Sequence, residues 1–213
     1  MGDVCRGFAG PGGENGGMDR DTVQVFCAVL GVATLAGGLV TLVALVAEAM
    51  GAKSAAHGGG TSWANSWLEQ VRGSALWLIC AITTGAMVGS LYFSEVANFA
   101  PCKLCWYQRI AMYSMAFISF VAALRNDRNI ARYTLTLASL GLVVSTYHYL
   151  LEWFPNLESS VCSIDVPCTT VWFREFGFVT LCFMAGSAFI AVIAMSLALL
   201  RDTATTSSSD SNN

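Results

Sequence analysis

The stretch Pro101-Cys102-Lys103-Leu104-Cys105-Trp106-Tyr107-Gln108-Arg109 leads into an apolar segment that begins at Ile110. Two cysteines separated by two residues can form a small, reducible disulfide. The proline before them and the apolar run after them place the pair where a loop becomes a helix. Unpaired N–H groups and the positive end of the helix dipole lower a thiol pKa at such a position, so we predict a reactive pair. Arg109 follows Cys105 by four residues and lies on the same helix face.

The composition indicates a membrane protein. Of the 213 residues, 55% are hydrophobic and only 12% are charged, which is too apolar for an ordinary soluble domain. A membrane-spanning helix needs about 20 predominantly apolar residues. Five segments meet this requirement: 23–48, 75–93, 106–124, 133–151 and 176–200. The pattern predicts an all-α membrane protein with a four-helix transmembrane bundle and one additional N-terminal transmembrane helix. The net charge of -3 argues against nucleic acid as a partner.

The segments between these spans divide the chain into four parts. Residues 1–20 are rich in glycine, and we expect them to be disordered, with Cys5 an incidental thiol. The second part, 21–74, contains the extra helix, a linker with His57, and a short helix. A four-helix domain, 75–201, and a disordered tail, 202–213, follow it. In the short helix, Trp63, Trp67 and Val71 recur every four residues, which predicts that it lies in the membrane interface.

Basic residues predict the orientation of the spans. Three arginines lie in the short loop 125–132, which marks it as cytoplasmic. Alternation of the spans then places Lys53, Arg72 and Arg201 on the same side. The CxxC loop and the longer loop 152–175 fall outside the cytoplasm, so we expect both to face the extracytoplasmic side of the cell membrane.

The longer loop contains a second cysteine pair, Cys162 and Cys168. Both pairs therefore share the face on which disulfides persist. Cys27, Cys80 and Cys182 lie in apolar spans, where a thiol is usually a small hydrophobic side chain. Two dithiols at different depths can pass two electrons from a soluble thiol to a carrier in the membrane. The carrier must be soluble in lipid and accept two electrons, and a quinone has both properties.

Arg109 and His148 are the candidate quinone ligands. Arg109 could stabilise the negative charge that develops on a quinone oxygen during reduction. The alternative is that its charged group extends to the lipid headgroups, and its position alone does not separate the two roles. His148 lies near the outer end of its span, where it could contact the quinone or transfer protons. A structural histidine paired with Glu152, four residues on, is the other interpretation.

These motifs resemble the DsbB family of disulfide-forming membrane oxidoreductases, and the BdbC-like form with a short second loop is closer still. The resemblance covers about residues 75–200. It rests on Pro101-Cys102-x-x-Cys105-x-x-Gln108-Arg109, on Tyr147-His148-Tyr149, on the Cys162…Pro167-Cys168 pair, and on Phe176-Gly177-Phe178-Val179-Thr180. The span 23–48 departs from the four-helix pattern of the family, and its role is open.

The resemblance implies a bound quinone, ubiquinone or menaquinone, and a thioredoxin-like, DsbA-type partner that the enzyme keeps oxidised. It implies that Cys105 faces the quinone and that Cys102 exchanges with the loop pair. Arg109 would belong to the quinone site, and Cys162 and Cys168 would meet the partner.

Three other functions remain open at this stage. An enzyme similar to vitamin K epoxide reductase uses the same parts, but there the quinone-side CxxC follows the loop pair. A non-enzymatic alternative is a structural zinc site with four cysteine ligands. A transporter that carries electrons outward would need reactive cysteines on both faces, and the unpaired cysteines in the spans form no such dithiol.

Overall fold

The computed structural model describes residues 20–53, 62–157, 162 and 166–210. The predictions for Cys5, for His57 and for residues 1–19 lie outside these described residues. Within them, five long helices carry the fold, and the strand-type pairing consists of one isolated bridge, between Glu175 and Val179. The helices are α1 (Arg20–Lys53), α2 (Ser62–Leu91), α3 (Lys103–Arg125), α4 (Ala131–Trp153) and α5 (Leu181–Asp210).

The predicted all-α membrane protein is confirmed. Four stretches of the described chain are helical, long and apolar enough to cross a membrane: Arg20–Gly51, Trp63–Val96, Arg128–Trp153 and Leu181–Asp202. The predicted span 106–124 falls in α3, which is not among the four. With 23 residues at about 1.5 Å each, α3 is still long enough to cross the hydrocarbon core. Its outward residues Ile110, Phe117 and Leu124 recur every seven positions and are exposed, as a lipid-facing helix requires.

The helices α2 to α5 alternate in direction. The hydroxyl oxygens of Thr83 in α2 and Ser119 in α3 are 3.2 Å apart. Further along α2, Ser90 accepts a hydrogen bond from Tyr113, which comes earlier in α3, so the two helices are antiparallel. Helices α4 and α5 are also antiparallel, since Ser145 donates to the Cys182 carbonyl and Thr134 contacts Ser196. Consecutive helices of the predicted four-helix domain are therefore neighbours in space.

Helix α1 lies parallel to α5. Gly31 faces Met184, and Gly38 faces Ala191 seven residues further along both helices. A Cβ added at Gly38 would lie 2.9 Å from the Ala191 Cα, so the two backbones touch there. Small residues permit this close approach between membrane helices. The extra helix is thus packed onto the bundle rather than separate from it.

Three boundaries differ from the prediction. The predicted interfacial helix is continuous with the next span, since Gly73 and Ser74 do not interrupt α2. The last helix begins at Leu181 and not at residue 176, because Gly177 has a positive φ of 80° and the Thr180 hydroxyl accepts a hydrogen bond from Phe183 N as an N-cap. At its other end α5 continues to Asp210, into the segment predicted to be disordered.

The basic residues assigned to the cytoplasm gather at one end of the bundle, opposite the CxxC pair. Arg72 pairs with Glu48 of α1 at 2.7 Å and also lies 3.4 Å from the Ala198 carbonyl. Arg128 pairs with Asp202. These contacts join α1, α2, α5 and the turn before α4 at the end that the basic residues predict to be cytoplasmic.

Candidate active site

The CxxC pair caps the N-terminus of α3, as predicted. Cys102 has an extended backbone, with φ -74° and ψ 174°, and its sulfur accepts a hydrogen bond from the Cys105 backbone N–H at 3.3 Å. A cysteine sulfur here takes the place of the oxygen that usually caps a helix. The positive end of the helix dipole therefore points at the Cys102 sulfur.

The two thiols are not bonded to each other in this structure. Their sulfur atoms are 3.0 Å apart, at hydrogen-bond distance. The hydrogen bond with Cys105 lowers the pKa of Cys102 to about 4, and the interaction with His148 lowers it as well, whereas burial acts in the opposite direction. The lowered pKa favours the thiolate of Cys102, which is the nucleophilic form in disulfide exchange.

His148 connects the two cysteine pairs. Its ring is buried, and the Gln108 side-chain amide lies 3.1 Å from Nδ1. Because the amide nitrogen donates, Nδ1 accepts, and the proton of a neutral ring is on Nε2. That atom lies 3.1 Å from the Cys168 carbonyl oxygen and 3.5 Å from the Cys102 sulfur. One imidazole N–H thus touches the backbone of the loop pair and the first thiol of the CxxC pair.

The loop cysteines form a disulfide, Cys162–Cys168. Cys168 is buried, with 1% of its surface exposed, and it packs in one apolar cluster with Cys102, Leu104 and Leu151. Cys162 is only partly buried. The disulfide therefore presents one sulfur towards the surface and holds the other beside the CxxC pair.

A large cavity of about 400 Å³ lies on the other side of the CxxC pair. Cys105, Gln108 and Arg109 line it, whereas Cys102 and His148 do not. Its size is within the range of about 300–1,000 Å³ that is typical of small-molecule sites, and its walls are mainly apolar with a few polar groups. This is the environment that a quinone ring requires, so the residues present fit the predicted cofactor.

Stacked aromatic rings cover the end of the large cavity near the CxxC pair. Phe99 stacks on Trp172 with ring centroids 4.8 Å apart and also lies parallel to Phe93. A π-helical turn, Tyr92–Val96, ends α2 and turns the chain so that Phe99 reaches this position. Such turns recur at functional sites, and here Phe93 of the turn lines the cavity together with Phe99 and Trp172.

Arg109 is fixed at the wall of the large cavity. Its guanidinium donates to the Ser90 carbonyl at 3.1 Å and lies 5.4 Å from the centre of the Trp106 ring. A guanidinium has five N–H donors, so these contacts leave donors for a ligand. This placement favours a role in the cavity over the alternative of headgroup contact.

A small cavity of about 20 Å³ lies beside the CxxC pair, lined among others by Cys102, Cys105, His148 and Glu152. Glu152 was the alternative partner for His148, but the ring is bonded to Gln108 and Cys168 instead. The Glu152 Oε2 atom is buried and has no hydrogen-bond partner among the described residues.

Sequence reasoning grouped His148 with Arg109 and missed the role of Gln108. The structure places His148 between the cysteine pairs and Arg109 on the cavity side of Cys105. Gln108 follows Cys105 by three residues and faces inward, a spacing that could have indicated its proximity to the site. The disulfide leaves no thiolate on Cys162 and Cys168, so the four-cysteine zinc site is not formed. Cys102, Cys105 and His148 do place three possible metal-binding atoms within 4.8 Å of one another.

Comparison with known proteins agrees with this architecture. The profile of the family "Disulfide bond formation protein DsbB" matches residues 71–200. The chain is 44% identical over 119 residues to the "Probable disulfide formation protein" of Oceanobacillus iheyensis. The aligned region covers 55% of this chain and 82% of that protein. The chain is 42% identical over 120 residues to the "Disulfide bond formation protein C" of Bacillus subtilis, covering 56% and 85% respectively. No solved structure matches the chain. Since the family profile covers more than half of its length, the chain belongs to the DsbB family of disulfide bond formation proteins, which are multi-pass membrane thiol oxidoreductases.

Proposed function

We propose that this protein oxidises an extracytoplasmic thioredoxin-like, DsbA-type protein and passes the electrons to a membrane quinone. The observation that carries the proposal is the position of the CxxC pair. Cys102 faces the loop disulfide through His148, and Cys105 faces the large cavity. The pair therefore separates a soluble partner from a ligand in the membrane.

The electrons move by two disulfide exchanges. The partner dithiol gives two electrons to the Cys162–Cys168 disulfide, and the partner leaves with its own disulfide formed. The resulting loop dithiol then reduces a Cys102–Cys105 disulfide and is itself reoxidised. Because Cys162 is the more exposed sulfur, we assign it as the atom that the partner attacks, and Cys168 as the atom that exchanges with Cys102.

The different redox states of the two cysteine pairs are compatible with one step of this proposed electron transfer. The loop pair is a disulfide and the CxxC pair is a dithiol, as expected once the electrons have reached the CxxC pair. A quinone, when bound, would supply the two-electron oxidant that restores the Cys102–Cys105 disulfide, and the two protons of its reduction would come from the Cys105 thiol and from water. Arg109 would hold the ligand oxygen beside Cys105 and stabilise negative charge on it in a low-dielectric environment.

His148 would serve the exchange between the pairs. Its Nε2–H can stabilise the Cys102 thiolate when that thiolate is the leaving group or the nucleophile. The Gln108 amide would keep the proton on Nε2 by occupying Nδ1. We assign both cysteine pairs to the extracytoplasmic face of the cell membrane, because the basic residues lie at the opposite end of the bundle.

Purified protein supplied with a reduced DsbA-type protein and a quinone tests the proposal directly. We expect the quinone absorbance to fall as the partner is oxidised. Cys162→Ser should stop electron uptake from the partner but leave quinone reduction by a small dithiol, whereas Cys105→Ser should stop both. Cys80→Ser is the control, since Cys80 is buried in α2 away from both pairs. Quinone reduction by the Cys105→Ser protein would contradict the proposed order.

A further inference from the structure

Helix α1 supplies one wall of the large cavity. Four of its residues line the cavity: Cys27, Leu30, Gly31 and Thr34. The remaining walls come from α2, α3, α5 and the aromatic residues described above. The family profile begins at residue 71, so α1 lies outside the part of the chain that the family shares. The cavity therefore includes a surface that the family match does not account for.

Helix α1 also stands between the cavity and the lipid. Its residues Phe26, Val29 and Val43 are exposed on the outside of the bundle and do not line the cavity. The lining residues Cys27, Leu30, Gly31 and Thr34 recur at three- and four-residue spacing on one face, of which Leu30 is 49% exposed, and there Gly31 leaves no side chain between α1 and Met184. Because Leu30 and Gly31 are apolar and Thr34 is small, this wall offers van der Waals contact and little hydrogen bonding.

The position of α1 depends on contacts that can be altered selectively. At Gly38 an added Cβ would meet the Ala191 backbone, with its Cα at 2.9 Å and its N at 3.1 Å, so a larger residue must push α1 away from α5. At the neighbouring Gly37 nothing lies within 4 Å of an added Cβ. The same substitution at these adjacent positions should displace α1 in one case only.

From these observations we infer that α1 is a lipid-side wall of the quinone site and binds the apolar isoprenoid tail of the quinone. The inference rests on the proposed function and adds to it a tail-binding role for a helix outside the family match. The group that would hold the quinone ring, the Arg109 guanidinium, belongs to α3 and also lines the cavity. Displacement of α1 should therefore weaken binding of long-tailed quinones and leave the recognition of the ring unchanged.

The test compares Gly38→Leu with its control Gly37→Leu in purified full-length protein. We expect Gly38→Leu to raise the KM for a long-tailed quinone about tenfold, the effect of losing contact with a few methylene groups. The KM for a benzoquinone without a tail should change less than about twofold, since the lost contacts are to the tail. Dissociation constants from tryptophan fluorescence quenching, measured with both disulfides formed so that no turnover occurs, should change in the same ratio.

A second pair of variants covers the case in which Gly38→Leu does not fold. Leu30→Ala removes a side chain from the cavity wall, and Val29→Ala removes a similar one from the lipid-facing side. We expect only Leu30→Ala to weaken binding of the long-tailed quinone. The inference is overturned if Leu30→Ala and any folded Gly38→Leu protein bind both quinones as their controls do, while the wild type reduces quinone. If the wild type reduces no quinone, the proposed function fails and the inference fails with it.

Discussion

The low pKa of Cys102 should accelerate disulfide exchange at acid pH and have little effect on it at neutral pH. At pH 7 a thiol with an ordinary pKa of 9.0 is about 1% thiolate, whereas a thiol with a pKa of about 4 is almost fully ionised, a gain of about 100-fold. Nucleophilicity falls as the pKa falls, by on the order of 200-fold over this interval. At pH 7 the two effects nearly cancel, and the rate should be about half that of an ordinary thiol.

At pH 5 the balance is different. The ordinary thiol is then only about 0.01% thiolate, so the low pKa increases the ionised fraction by about 10⁴. After the loss of nucleophilicity, the net acceleration is about 50-fold. A low pKa at Cys102 is therefore detected in the pH profile rather than in the rate at pH 7.

The assay uses reduced protein in which Cys162→Ala and Cys168→Ala remove the competing disulfide. Its reaction with a small disulfide is followed between pH 3 and pH 10, and modification of Cys102 is quantified by peptide mass spectrometry. We expect an inflection near pH 4, below which Cys102 is protonated and the rate falls. Cys105→Ala should move the inflection up furthest, because its hydrogen bond is the largest cause of the shift, and His148→Phe should move it up by less.

Other ionisable groups near Cys102 define the controls. Glu152 and Cys182 line the same small cavity as Cys102, so their variants are not neutral references. Glu95 is exposed and does not line that cavity, and Glu95→Gln should leave the profile unchanged. The reasoning is refuted if the protein that retains Cys105 and His148 shows its inflection between pH 8 and pH 9. The same holds if neither Cys105→Ala nor His148→Phe changes the inflection.

Three other outcomes are expected. Arg109→Met should lower quinone turnover by about 10²–10³ and raise the apparent KM without loss of either disulfide, and normal turnover would assign Arg109 to lipid anchoring instead. Gly141→Ala should reduce thermal stability in detergent, because the new methyl group would lie 2.3 Å from the buried Phe189 ring, whereas Gly73→Ala, with open space around it, should not. A membrane-impermeant thiol reagent should label Cys162 in intact, reduced cells, and labelling only after lysis would reverse the assigned topology.

The sequence predicted those features that depend on local chemistry. Pro101 before Cys102 and the apolar run after Cys105 place the pair at a helix start, and the structure has it there. The segregation of arginines to one end also follows directly from their positions between the spans. These predictions need only the order of residues along the chain.

The features that the sequence did not predict depend on contacts between distant segments. His148 and Arg109 were grouped because their depths in the membrane are similar, but depth does not determine which side of Cys105 each one faces. The start of α5 was misplaced because the residues from Phe176 onwards are apolar and so extend the predicted span. The positive φ of Gly177 prevents a helix there, and α5 begins only at Leu181. Nor could composition show that α1 lines the cavity, since the packing of Gly38 on Ala191 joins residues 153 positions apart.

The packing of α5 has a consequence for biosynthesis. In its most apolar stretch 56% of the residues are buried, compared with 22%, 28% and 33% in the stretches from α1, α2 and α4. Helix α5 packs against α1, α2 and α4, and it follows all three in the chain. During translation, the earlier helices enter the membrane before the surface on which they pack has been made. The packing of α1, α2 and α4 on α5 must therefore await the synthesis of α5.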